Sequence, residues 1–109
     1  AYVLNELSNT VCVYSYQDCQ FTFIQEIDTY PKDEYTKESL AGDIVISEKG
    51  DYLFVSNRGH DSVAAFEVDS STGKLTYIEY LDTDEKPRAM ILVNDRCCCF
   101  TIRWNIRII

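Results

Sequence analysis

Residues 54–68 read FVSNRGHDSVAAFEV, and residues 2–16 read YVLNELSNTVCVYSY. Laid over one another without a gap, Val3 meets Val55, Asn5 meets Asn57, Val11 meets Val63 and Tyr14 meets Phe66. A chain that repeats a strand–turn–strand segment in this way is an array of one supersecondary unit. Short strands recurring at a period of roughly 40–50 residues specify a propeller-like array. The two copies differ where Glu6 stands opposite Arg58 and Ser8 opposite His60. Identical positions read as scaffold. Divergent polar positions on the same loop are where a site is grafted.

Working outward, the chain reads as strand after strand. Residues 2–5 end one strand, and Val11, Val13, Tyr14 and Tyr16 mark a second. The turn 17–20 leads into 21–27, whose alternation puts Phe21, Phe23, Gln25 and Ile27 on one face. Residues 28–40, DTYPKDEYTKESL, read as a solvated connection, with a short helix as the alternative. GDIVIS (42–47), YLFVSN (52–57), SVAAFEV (62–68) and LTYIEYL (75–81) are four strands joined by polar turns, with Gly50 free to take a positive φ in the first hairpin. Four antiparallel strands between similar turns make one propeller blade. After Pro87, the run from Ala89 to Val93 is placed like the strand at 43–47. The expected fold class is therefore all-β: four-stranded antiparallel blades of a truncated β-propeller. Residues 1–40 read as the end of one blade and an interblade loop, 41–84 as a complete blade, and 85–96 as the start of the next. Residues 97–109, CCCFTIRWNIRII, break the pattern. They read as a divergent tail, either a frameshifted segment or a divergent edge strand.

The totals fit a globular piece of a longer protein: 109 residues, 46% hydrophobic and 26% charged. No apolar run approaches the roughly 18 residues of a membrane span. The net charge of −8 opposes non-specific binding to a phosphate backbone, so no nucleic-acid partner and no membrane are expected. A local arginine cluster still suits a small anionic substrate. Cys12, Cys19 and Cys97 to Cys99 are odd in number and contain no CxxC pair, so neither a disulfide framework nor structural zinc is expected. Reduced thiols point to the cytoplasm. No glycine-rich phosphate loop or G-x-S-x-G elbow occurs, and no cofactor is called for.

YVLNELSNTVCVY, GDYLFVSNRGHDSVAAF, VDSSTGKLTYIEY and Pro87-Arg88 together resemble the seven-bladed β-propeller lactonase family over residues 2–95. The resemblance implies seven blades, of which this chain would hold under a third. It implies lactone hydrolysis, with 6-phosphogluconolactone of the pentose phosphate route as the substrate. It places an Asn-Glu-Leu loop and an Asn-Arg-Gly-His loop at the central channel, with Glu6 and Arg58 in the site. It also implies a channel His and a further Arg on other blades, so that the 109 residues alone would be inactive.

The blade pattern agrees in part. Successive connections alternate ends, so the loops carrying Glu6, Arg58 and His60 share an end with the connection carrying Arg88. A phosphorylated lactone wants guanidinium partners. Ester hydrolysis wants an activated water and help for the oxyanion. Glu6, Arg58 and His60 are the catalytic candidates, Arg88 the substrate-binding one, and no metal ligand is assigned. Each has a plainer reading: Glu6 paired to Arg58 as a brace, His60 as a turn residue, and Arg88 bracing the interblade seam. A non-catalytic binding propeller and a muconate-type lactonizing cycloisomerase are the other functional readings.

Overall fold

The computed structural model describes residues 1–93, 96–100 and 106–108. Ten strands run in chain order: β1 (Tyr2–Asn5), β2 (Thr10–Gln17), β3 (Gln20–Asp28), β4 (Leu40–Ile46), β5 (Tyr52–Arg58), β6 (Ser62–Val68), β7 (Leu75–Asp82), β8 (Ala89–Val93), β9 (Arg96–Phe100) and β10 (Ile106–Ile108). They form three antiparallel meanders, β1-β2-β3, β4-β5-β6-β7 and β8-β9-β10. The described residues contain no helix. The third sheet includes the backbone of β9, which pairs Ala89 with Phe100 and Val93 with Arg96. The tail reading for 97–109 otherwise falls on side chains and residues outside those described.

The repeat in the sequence is a repeat in space. Asn5 faces Thr10 across β1 and β2, and Asn57 faces Ser62 across β5 and β6. Each Asn Nδ2 donates to the opposite hydroxyl, at 3.0 Å for Thr10 and 3.3 Å for Ser62. The turn residue before each hydroxyl, Asn9 or Asp61, takes φ 55°. Asn and Asp are the side chains that best tolerate this left-handed region. The backbone carbonyls of those two residues then accept the amides of Thr29 and Thr83, each at 3.0 Å. One polar scaffold is thus built twice, and it fixes the loops that carry Glu6 and Arg58.

Strand alternation sorts the apolar side chains between two seams. Leu53, Val55, Ala64 and Phe66 pack with Val11 and Val13 of the first sheet. Phe54 and Val63 turn the other way, toward Met90 and Leu92 of the third. Phe66 is fully buried, and truncating such a side chain to Ala costs about 3–5 kcal/mol. Side chains bonded to backbone also tie the sheets. Tyr2 Oη donates to the Gly73 carbonyl at 2.7 Å. Gln25 Nε2 donates to Leu75 O at 2.9 Å while its Oε1 accepts from Leu75 N at 2.8 Å. Asp43 Oδ2 accepts the Met90 amide at 2.8 Å. Gly42 is required at the second seam, since a Cβ there would lie 2.6 Å from Ser56 Oγ and 2.8 Å from the Pro87 carbonyl.

Two local expectations are corrected. A register shift between Val13 and Tyr14 leaves Ile24 as the extra residue of β3, because Val13 pairs Gln25 and Tyr14 pairs Phe23. The bulge splits the expected apolar face. Phe21 and Phe23 are exposed, while Ile24 and Ile27 pack on the core. The connection 28–40 is not wholly solvated either: Thr29, Tyr30 and Ser39 are buried, around a single turn closed by Glu34 N and Tyr35 N on the Pro31 carbonyl.

Candidate functional site

Three segments meet at one end of the second sheet. Arg58 closes β5 and Gly59 follows it. Glu38 precedes β4 and Leu40 opens it, and Lys86, Pro87 and Arg88 join β7 to β8. Glu38, Leu40, Arg58, Gly59, Lys86 and Arg88 line a cleft of about 280 Å³. Three cations and one carboxylate thus share a small volume in a chain whose net charge is −8.

Arg58 bridges two sheets. Its Nη2 donates to Glu6 Oε1 at 2.6 Å and to the Ala41 carbonyl at 3.1 Å. The Arg58 side chain is only 17% exposed, against 58% for Glu6. The Ala41 amide in turn donates to the Glu6 carbonyl at 3.2 Å. Arg58 Nε is buried and has no partner among the described residues. The geometry therefore presents an exposed carboxylate held by a largely buried guanidinium that keeps unused donor capacity.

The cleft depends on a close backbone approach. Gly59 takes φ 119°, and a Cβ there would lie 2.3 Å from the Glu38 carbonyl oxygen. Asp61 Oδ1 accepts the Gly59 amide at 3.0 Å and the Lys86 amide at 2.8 Å, so one carboxylate clamps both cleft walls. Lys86 itself takes φ 53°, and Pro87 behind it is fully buried.

His60 is placed differently. It does not line the cleft. Its Nδ1 lies 2.6 Å from Ser62 Oγ, and its amide donates to Ser39 Oγ at 3.2 Å. The ring stacks on Tyr30 and meets Tyr35 and Tyr80 edge-on, with centroids 5.6, 4.9 and 5.7 Å away. Tyr35 Oη donates to the Gly59 carbonyl at 2.6 Å, linking this aromatic cluster to the cleft wall. Burial, with the nearby Tyr77, Asp28 and Glu34 charges, pushes the Tyr80 hydroxyl up to about 12.

The structure thus joins Glu6 to Arg58, and Arg58 to Arg88 through the cleft, while His60 stands behind the wall. Lys86 was not singled out in the sequence. Its signal was the basic pair flanking Pro87 in an acidic chain. Among the described residues, no group of three or more His, Cys, Asp or Glu side chains comes together to hold a metal ion. No helix among them is long and apolar enough to cross a membrane.

Residues 1–100 match the family described as Lactonase, 7-bladed beta-propeller. The 6-phosphogluconolactonase of Bacillus subtilis is 38% identical over 86 residues, covering 77% of this chain and 24% of that protein. The 6-phosphogluconolactonase of Blochmanniella pennsylvanica is 32% identical over 94 residues, covering 84% and 28%. The solved periplasmic gluconolactonase of Pseudomonas aeruginosa superposes with a TM-score of 0.88 at 25% identity, over 98% of this chain and 31% of that one. A Bacteroides fragilis structure gives 0.85 at 32% identity, over 98% and 30%. The chain spans about a quarter of the length of the curated relatives it matches. The repeated strand–turn–strand scaffold, the antiparallel meanders and these matches agree: this chain belongs to the seven-bladed β-propeller lactonase family.

Proposed function

We propose that these blades form part of a lactone hydrolase whose substrate is a small anionic sugar lactone, 6-phosphogluconolactone of the pentose phosphate route, in the cytoplasm. The observation that carries the reading is the Glu6–Arg58 pair, set across two sheets beside a cation-lined cleft. The names of the relatives support the substrate class. In this reading Glu6 takes a proton from the attacking water as it adds to the lactone carbonyl. Arg58 holds the developing oxyanion with Nη1, the terminal nitrogen that neither Glu6 nor the Ala41 carbonyl engages. Collapse of the tetrahedral intermediate breaks the ring C–O bond, and the proton passes to the leaving hydroxyl. Arg88 holds the substrate's anionic group. His60 acts as a positioning residue, bracing Tyr35 and through it the Gly59 carbonyl.

The 109 residues supply one part of this machinery, so by themselves they should not turn over substrate. A second reading keeps the Glu6–Arg58 pair as a brace in a non-catalytic binding propeller. The bond from Arg58 Nη2 to the Ala41 carbonyl favours it, because it spends donor capacity on structure. A lactonizing cycloisomerase would instead close the ring by adding a substrate carboxylate oxygen to one carbon of a C=C bond and a proton to the other.

The test is phosphogluconolactone hydrolysis by the full-length protein carrying these blades, beside its Glu6→Gln and Arg58→Met variants. Loss of a general base costs about 10²–10⁴ in rate, and loss of an oxyanion donor about 10²–10³. Falls of that size in kcat are expected in both variants. Unchanged rates in both would remove the assignment and leave the brace.

A further inference from the structure

We infer that Asp61 is a positioning residue for the Arg58 site: its carboxylate locks the turn after β5 to the β7–β8 connection, and so fixes where Arg58 and Arg88 stand relative to one another. The lock is read from backbone geometry; its effect on catalysis rests on the hydrolase reading above.

The bonds join segments that are not paired strands. Asp61 Oδ1 accepts the Gly59 amide at 3.0 Å and the Lys86 amide at 2.8 Å. Gly59 follows Arg58 directly, and Lys86 lies two residues before Arg88. The Asp61 carbonyl adds a third bond, from the Thr83 amide at 3.0 Å, where the same connection begins. Bonds from backbone N–H groups to a carboxylate are among the stronger ones in a protein. Asp61 itself sits at φ 55°, a conformation that Asp tolerates and most side chains do not.

The connection needs such a hold. Lys86 takes φ 53°, in the left-handed region that non-glycine residues seldom occupy. A residue followed by proline is drawn instead to the extended region. Pro87 is fully buried, which limits how far the chain can yield there. A conformation of this kind persists where its surroundings over-determine it, and the bond from Lys86 to Asp61 supplies that restraint. Released, Lys86 would relax toward the extended region and carry Arg88 with it. The first copy of the repeat uses the same position for the same task. Asn9, opposite Asp61 and also at φ 55°, ties its turn to the connection that follows by donating from Nδ2 to the Ser39 carbonyl at 2.7 Å. The tie recurs with its polarity reversed: an amide gives in one copy, and a carboxylate receives in the other. Only the second copy sets the tie between two segments that carry arginine.

The experiment compares the full-length protein carrying these blades with its Asp61→Gly, Asp61→Glu and Asp61→Asn variants. Glycine holds a positive φ without strain and keeps the carbonyl bond to Thr83, so Asp61→Gly removes the carboxylate alone. Asp61→Glu keeps the charge but carries it one methylene too far, and it stands in if Asp61→Gly does not fold. Asp61→Asn keeps the turn and one acceptor oxygen. A misplacement on the order of 1 Å costs about 10²-fold in rate, so kcat/KM for lactone hydrolysis should fall about tenfold to a hundredfold in the Gly and Glu variants, well below their unfolding midpoints, and return to within about threefold of wild type in Asp61→Asn. Amide hydrogen exchange reads the lock without turnover. In wild type the Gly59 and Lys86 amides should exchange at least about tenfold more slowly than in an unfolded chain. In Asp61→Gly both should lose that protection while the amides of β5 and β6 keep theirs. Unprotected Gly59 or Lys86 in wild type, or unchanged protection in Asp61→Gly, would overturn the lock. A lost lock with unchanged kcat/KM would overturn the positioning role, as would a fall in Asp61→Asn as deep as in the other two. No turnover in wild type would sink the hydrolase reading and the catalytic consequence with it, while exchange still decides the lock.

Discussion

Gly59 carries more of the site than its size suggests. Its φ of 119° is one that L side chains rarely adopt, and the Glu38 carbonyl occupies the space a methyl group would need. Gly59→Ala therefore meets backbone on both counts and should destabilise by more than about 1 kcal/mol, the range in which such substitutions usually act. Chemical denaturation of the full-length protein checks this; an unchanged midpoint would mean that the wall is not fixed there. Nearby residues differ in how visible they were. Asn5 and Asn57 were legible as scaffold because the sequence repeats them, and each does hold the hydroxyl across its turn. His60 was not legible, because Tyr30, Tyr35 and Tyr80 reach it from two separate parts of the chain. Lys86 was hidden for the same physical reason: its conformation depends on Asp61, 25 positions earlier.

At the scale of elements, the turn between β6 and β7 is organised by one of its own side chains. Asp69 Oδ1 accepts the amides of Ser71 and Thr72 and the Ser71 hydroxyl. These hydrogen bonds, the Ser71 hydroxyl foremost, lower its carboxyl to about 2. A depressed carboxyl adds stability above its unfolded value near 4, and that stability is lost as pH falls through the folded value. Wild type should therefore lose stability between about pH 4 and pH 2 more steeply than Asp69→Asn. Thermal melts across that window test it, and parallel curves would deny Asp69 the role. The strands themselves were readable, because alternation and turn residues mark them locally. The bulge at Ile24 was not, since a one-residue slip in β3 is decided by its pairing to β2. Nor was the burial of Tyr30 and Ser39, which comes from neighbours distant in sequence.

Across the whole molecule, apolar surface remains uncovered at both outer sheets. Tyr16, Phe21 and Phe23 of the first sheet are 60%, 64% and 57% exposed, and Ile91 and Val93 of the third are 49% and 45%. Stacked repeats rely on neighbours to cover such faces, and uncovered ones favour association. The isolated 109 residues should bind a hydrophobic dye or self-associate in sedimentation, and a monomer with cooperative unfolding and no dye binding would contradict this. The seams carry a further consequence. Tyr2, Gln25 and Asn57 reach across to the carbonyls of Gly73, Leu75 and Thr29, and Gln25 also accepts the Leu75 amide. The reaching side chain is specified; the receiving side offers only peptide groups, which every residue possesses. Each sheet supplies some of the reaching side chains, and within each bond the constraint on hydrogen bonding falls on the residue that reaches. A receiving position can change its side chain without losing that bond, within the limits its own packing sets: Leu75 and Thr29 are buried and Gly73 holds φ 77°. Copies of one unit can diverge in this way into loops as different as those of Glu6 and Arg58 without ever coming apart.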